Sequence, residues 1–137
     1  MPELPEVETT LRGISEKVIN KKIESFKPRT QKLRWPLDRN LSRFLKNKII
    51  ISAWRRGKYI IFNLSEGHLL IHLGMSGKLR VFDGQVTPKK HEHWDLSFTD
   101  GWTLRYTDIR KFGALIKIKE KPEEHKLLKN LGPEPLG

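Results

Sequence analysis

The residues best placed to do chemistry stand at the very start of the chain, in Met1-Pro2-Glu3-Leu4-Pro5-Glu6-Val7-Glu8. Removal of Met1 ahead of a small second residue would leave Pro2 as a terminal secondary amine with Glu3 beside it. An α-amino group titrates near pH ~8, so a useful fraction is neutral and nucleophilic at pH ~7. Attack of such an amine on a sugar C1′ gives an iminium ion, an electron sink that permits elimination at neighbouring carbons. The same stretch also has a purely structural reading. Prolines suit the start of a helix, where a missing N–H does no harm, and glutamates are favoured by the positive end of the helix dipole. Composition and spacing leave both readings open.

A second candidate is His91-Glu92-His93. Two imidazoles on alternate strand positions beside one carboxylate look like a metal-binding pair, but make too small a ligand set to specify a site. No metal is expected, and these side chains are read as supporting a sheet edge or meeting a phosphate. The chain has no cysteine, which excludes disulfides, a thiol nucleophile and a cysteine-built zinc site.

Charge points to the class of partner. The 137 residues carry a formal +11, and the excess is uneven. Residues 1–16 balance at −3, residues 17–58 at +12 and residues 59–137 at +2. The basic block interleaves Phe26, Trp35, Phe44 and Trp54 rather than low-complexity filler, which favours phosphate binding over a merely solvated face. With 36% hydrophobic and 31% charged residues the composition is that of a folded domain. The longest apolar runs are four or five residues, far short of the roughly 20 that a transmembrane helix needs. The first residues lack the basic-then-apolar order of a secretory signal, so a cytoplasmic location is expected.

These residues need a scaffold, and the patterning describes one. Leu4, Val7, Leu11, Ile14 and Val18 step by three and four, one stripe of an amphipathic helix that fades at Asn20. A strand is expected at 23–27, then a Pro- and Arg-rich connection, then a short helix capped by Asp38 and carrying Leu41, Phe44 and Leu45. Strands follow at 49–55, 59–64, 68–73, 78–82, 93–99, 102–107 and 112–119, with Asp100-Gly101 as a hairpin signal. A helix at 123–129 and a linker at 131–137 complete the expectation. The fold class is α+β, mainly β: an antiparallel two-sheet β-sandwich or barrel of about eight strands with an N-terminal helix and one or two short helices. Of Trp35, Trp54, Trp94 and Trp102, at least three are expected to pack in strands rather than stack on bases.

The N-terminal stretch resembles the start of the bacterial formamidopyrimidine-DNA glycosylase family, and six further motifs extend the resemblance in order. They are Arg34-Trp35-Pro36, Arg56-Gly57-Lys58-Tyr59, Ile71-His72-Leu73-Gly74-Met75-Ser76-Gly77, His91-Glu92-His93-Trp94-Asp95, Tyr106-Thr107-Asp108-Ile109-Arg110-Lys111-Phe112-Gly113 and Leu131-Gly132-Pro133-Glu134-Pro135-Leu136. Leu4 and Val7 favour this branch over its endonuclease VIII relatives, which more often begin Met-Pro-Glu-Gly-Pro-Glu-Ile.

The resemblance implies a bifunctional DNA glycosylase and abasic-site lyase that excises oxidised purines such as 8-oxoguanine and formamidopyrimidines. Pro2 would be the Schiff-base nucleophile, Glu3 would protonate the deoxyribose ring oxygen, Glu6 would position the site, and Lys58 would sit near the lesion and its phosphate. His72 would contact a phosphate and His91 would join the DNA-binding set. Met75, Arg110 and Phe112 would fill the gap left by the everted nucleotide. Strand cleavage would follow by β- and δ-elimination, without a metal or other cofactor.

The expected partner is duplex DNA carrying oxidised bases or abasic sites, met by a monomer in the bacterial cytoplasm and nucleoid, with no role for a membrane. Residues 1–130 would form the N-terminal catalytic β-sandwich domain and 131–137 the start of an interdomain linker. The family's helix–two-turn–helix and zinc-finger domains are expected to be absent. The missing C-terminal half would then be a further partner, and the chain alone weakly active or inactive. Two alternatives stand beside this reading: a non-catalytic basic DNA-binding module, and an endonuclease VIII-like preference for oxidised pyrimidines.

Overall fold

The computed structural model of the chain describes residues 4–119. The expected helix at 123–129 and linker at 131–137 lie outside the described residues, as do Pro2 and Glu3. Helix α1 spans Leu4–Val18, and Val7, Leu11, Ile14 and Val18 are all buried as the stripe requires. Each such burial contributes roughly 1.5–3 kcal/mol. The helix stops where Asn20 turns left-handed, with φ 69°, and donates its N–H to Ile50 O at 2.7 Å.

The chain then forms β1 (Ile23–Pro28), α2 (Leu41–Leu45), β2 (Ile50–Arg56), β3 (Tyr59–Leu64), β4 (His68–His72), β5 (Lys78–Asp83), β6 (Glu92–Phe98), β7 (Trp102–Thr107) and β8 (Ala114–Ile118). The strands build two antiparallel four-stranded sheets, ordered β1-β6-β7-β5 and β2-β3-β4-β8. The facing sides form the core, with Ile60, Phe62, Leu69 and Ile71 from one sheet and Phe26, Trp94, Leu96 and Leu104 from the other. Helix α1 packs on β2 and β5, the edge strands on one flank, and so closes the sandwich there. The expected two-sheet sandwich is thus the observed one, and Trp94 is buried, Trp54 and Trp102 half-buried and Trp35 exposed.

Two local expectations need correction. Asp38 is not the helix N-cap: Asn40 holds that position without a side-chain cap bond. Asp38 Oδ1 instead accepts the Asn40 N–H at 2.7 Å, closing a turn ahead of the helix. The last strand begins at Ala114 rather than at Phe112. Gly113 is drawn out of the ladder, since its N–H donates to Asp108 Oδ2 at 3.0 Å and its carbonyl accepts the Arg34 N–H at 2.9 Å. Phe112 is left on a loop.

The outer face of the first sheet is polar. Asp95 takes two bonds from the buried Arg105, Nε to Oδ1 at 2.8 Å and a terminal nitrogen to Oδ2 at 3.0 Å. Arg29 adds a third at 2.8 Å. Arg105 also donates to Val86 O at 2.5 Å, which holds the loop that follows β5 against the sheet.

Candidate nucleic-acid interface and active site

At one end of the sandwich a single carboxylate organises two loops. Asp108 is 0% exposed. It accepts from Ser76 Oγ and from Tyr106 Oη at 2.7 Å each, from the Gly113 N–H at 3.0 Å and from the Arg110 N–H at 3.2 Å. Ser76 belongs to the loop between β4 and β5, whereas Arg110 and Gly113 belong to the loop between β7 and β8. Burial alone would raise the Asp108 pKa, but the bonds from Tyr106, Ser76 and the loop amides outweigh it and hold the carboxyl below its usual range. The charge is thus kept buried, and two loops take their shape from it.

Space around this knot is tight. Tyr106 stacks on Trp94 with ring centroids 5.4 Å apart. That stacking aims its hydroxyl between Gly77 and Gly113. A Cβ on Gly113 would collide with Tyr106 Oη and lie 2.5 Å from His72 O, and one on Gly77 would lie 2.6 Å from the same hydroxyl. Gly74 takes φ +62°, and a Cβ there would meet Phe112 and Gly113 backbone atoms at 2.6 Å.

The two loops raise their remaining side chains into solvent. Met75 is 43% exposed and Phe112 47%. With Lys32, Leu33, Arg34, Gly74, Arg110 and Lys111 they line an open cleft of about 580 Å³ that has four cations and no carboxylate among its described lining residues. Arg34 stacks over Trp35, its guanidinium 5.1 Å from the ring centroid. A groove of cations with exposed apolar and planar groups fits a polyanion whose bases can be stacked on or wedged apart. Sequence-based reading had singled out Met75, Arg110 and Phe112, and the structure brings all three to this cleft.

His72 lies on the outer face of the second sheet, in register with Tyr59 on one side and Ala114 on the other. It is buried, its ring set edge-on to Tyr59 at 4.8 Å. The Gly74 N–H donates to Nδ1 at 2.9 Å, so the proton of the neutral ring sits on Nε2. Burial, then the charges of Arg34 and Lys58, push its pKa down to about 4. At neutral pH His72 is therefore a hydrogen-bond donor and not a cation. It thus feels the charge of Lys58, in the turn after β2, while its ring holds Gly74 at the cleft.

His91 is half-buried with φ 71°, and its carbonyl accepts the Asp108 N–H at 3.0 Å. His93 Nε2 lies 2.7 Å from Asp108 O. Glu92 binds the Lys89 N–H at 2.6 Å and faces Arg80 and Arg105. The His-Glu-His run thus ties the start of β6, an interior strand rather than the expected sheet edge, to the Asp108 loop, and no cluster of three or more metal-ligating side chains occurs among the described residues. Glu6 stands exposed on the first turn of α1.

Asp108, Ser76 and Tyr106 had no role in the sequence reading, although all three fall inside its motifs. The available signal was an Asp directly after a strand whose alternate residues Trp102, Leu104 and Tyr106 are apolar or aromatic, where an unpartnered carboxylate would be costly. Arg34 likewise falls inside a motif without a role given to it, and Lys32 was hidden within the long basic block.

A model of the formamidopyrimidine-DNA glycosylase N-terminal domain matches residues 1–115. The formamidopyrimidine-DNA glycosylase of Psychromonas ingrahamii is 52% identical over 136 residues, covering 99% of this chain and 50% of that protein. That of Legionella pneumophila strain Lens is 50% identical over the same length. The chain spans about half the length of the curated relatives it matches. Among solved structures, the Lactococcus lactis formamidopyrimidine-DNA glycosylase non-covalently bound to DNA containing an AP site superposes with a TM-score of 0.76. It is 37% identical, over 85% of this chain and 45% of that one. The wild-type L. lactis protein with DNA containing an oxidized pyrimidine gives 0.76 at 38% identity, over 85% of this chain and 44% of that one. No helix among the described residues is long and apolar enough to cross a membrane. Since the matched model covers most of the chain, and the same two-sheet fold recurs in a similar protein seen on damaged DNA, the chain belongs to the formamidopyrimidine-DNA glycosylase family.

Proposed function

We propose that the chain is the N-terminal catalytic domain of a bifunctional DNA glycosylase and abasic-site lyase that excises oxidised purines in base excision repair. The observation that carries this reading is the cationic cleft from which Met75, Arg110 and Phe112 project. Chemistry at a deoxyribose needs its nucleotide out of the stack. A flexible apolar chain, a planar cation and an aromatic ring at one cleft are suited to hold the resulting gap.

In this reading the Pro2 amine attacks C1′, the glycosidic bond breaks and the base leaves with its electron pair. Glu3 protonates the ring oxygen as the sugar opens to the iminium ion, and loss of the C2′ proton then expels the 3′ phosphate, with the 5′ phosphate following. Lys58 and the Nε2–H of His72 serve the lesion's phosphate from the second sheet. His91 meets the backbone beside the gap that Met75, Arg110 and Phe112 fill, and Glu6 orders the helix start. Residues 1–130 form the domain and 131–137 begin a linker. The partner is duplex DNA with oxidised bases or abasic sites, met by a monomer in the bacterial cytoplasm and nucleoid. The half of the relatives that lies outside the match is the expected second jaw on the duplex.

The test is borohydride trapping on an abasic-site duplex, with mass spectrometry to establish that Met1 is gone. A covalent adduct that Pro2→Gly abolishes is expected. Salt-sensitive DNA binding without adduct, from protein with a free Pro2, would leave a binding module in place of an enzyme. A second reading, oxidised pyrimidines as substrates, is favoured by the similar L. lactis protein crystallised with such DNA. Competition between 8-oxoguanine and thymine glycol duplexes separates the two.

A further inference from the structure

One ion pair joins the two elements that this reading requires to act together. Arg55, near the end of β2, donates from Nε to Glu8 Oε2 at 2.9 Å and from a terminal nitrogen to Gly57 O at 3.0 Å. Glu8 lies on α1, five residues after Glu3 in sequence, and Gly57 precedes Lys58 in the β2–β3 turn. The Arg55 side chain is only 15% exposed. Its bond to Glu8 is the first of the influences that hold that carboxyl below its usual range, whereas the Glu8–Arg12 pair beside it is longer, at 3.5 Å, and open to solvent.

The hydrophobic stripe fixes α1 against the core, but apolar contacts are non-directional and tolerate small slides along the helix axis. A planar guanidinium gripping a carboxylate on the helix and a carbonyl in the turn does not. We propose that Arg55 is a positioning residue, which sets the N-terminal end of α1, and so the amine that precedes it, at a fixed distance from the turn bearing Lys58. This rests on the reading of Pro2 and Lys58 given above. The two ends of the bridge come from segments 47 residues apart in sequence, and its worth lies in geometry, since a displacement of about 1 Å at a reacting centre costs up to about a hundredfold in rate.

Borohydride trapping on a saturating abasic-site duplex tests the proposal, with Met1 removal established and circular dichroism and Tm as fold controls. Arg55→Gln and Glu8→Gln should each slow adduct formation by roughly tenfold or more, with DNA Kd within about threefold of the unaltered protein. The double variant should be no slower than the slower single one, because both break the same bridge. Arg55→Lys, which keeps the charge but not the fork, should recover only part of the rate. The pH–rate profile should fall in height without moving its midpoint. An unaltered rate in folded Arg55→Gln, additive losses, or a shifted midpoint would overturn the proposal. Amide exchange at residues 57–58 gives a readout independent of chemistry: it should quicken in Glu8→Gln, and an unchanged turn overturns the coupling. If the unaltered protein with a free Pro2 forms no adduct, the reading of Pro2 fails, and the exchange measurement alone decides whether Arg55 transmits the helix position.

Discussion

Two carboxylates are buried among the described residues, and they are used in opposite ways. Asp95, on the outer face of the first sheet, binds guanidinium groups from Arg29 and Arg105. Asp108, at the cleft end, binds two hydroxyls and two backbone amides. The first arrangement pairs Arg29 and Arg105 with a counter-charge on a face away from the Met75–Phe112 cleft. The second pairs with no cation among the described residues and shapes the loops that raise Arg110, Met75 and Phe112. The sign of the surface around a buried acid thus depends on whether its partners are charged or merely polar.

The largest expected break in this comparison is Asp108→Ala. It strands the Tyr106 hydroxyl and the Gly113 amide, and should lower the unfolding free energy by about 3–5 kcal/mol while abolishing excision. Urea melts and single-turnover excision check both halves, and retained excision in a destabilised protein would show that the loops keep their shape without the carboxylate. Asp95→Ala should also destabilise, by about 2–4 kcal/mol, because Arg105 loses its main counter-charge in a buried position. Well below its Tm, however, its excision rate should stay within about threefold of the unaltered protein, since no cleft residue leans on Asp95.

Acid should separate the contributions. His72 has a folded pKa of about 4, below its ordinary 6.5. Its neutral form is the folded one, so its share of stability is complete above about pH 6.5 and is lost as pH falls from there towards 4. Asp95 and Asp108, both with lowered pKa, contribute above the ordinary carboxylate range and lose that contribution as pH falls through their still lower folded values. Tm measured from pH ~7 to ~3 should therefore decline in two stages. His72→Gln should flatten the upper stage, and Asp95→Asn the lower. The smallest expected effect is electrostatic. Arg110→Ala should reduce the slope of log Kd against log salt for duplex DNA by about one, whereas Arg80→Ala, on a cation already paired with Glu92, should leave it unchanged.

Much of this architecture was legible in advance because its signals are local. The stripe of α1 has a period that only a helix satisfies, and Asp100-Gly101 marks its hairpin through bonds made within four residues, Gly101 N–H to Phe98 O at 3.0 Å and Trp102 N–H to Asp100 Oδ1 at 3.1 Å. The expectations that failed were those where another partner, two residues away for Asp38 and distant for Gly113, outbid the one expected. Asp38 was read as a cap from the residues after it. Phe112 was read as strand from its neighbours, although Arg34 and Asp108 pull Gly113 out of the ladder. The resemblance implies a phosphate contact for His72, and only the structure shows that burial beside two cations would make it a neutral donor there.

The sequence by itself determined the element types, the basic character and the family motifs, because periodicity, net charge and short motifs need no knowledge of what touches what. Tertiary structure alone decided which of those residues act together. Ser76 and Asp108 lie 32 positions apart and Arg55 and Glu8 lie 47 apart. Only the pairing of strands into two sheets, with a helix closing their edge, brings such partners within hydrogen-bond reach. For Asp108 the same packing removes water from around the carboxylate, which strengthens the bonds by which it shapes two loops.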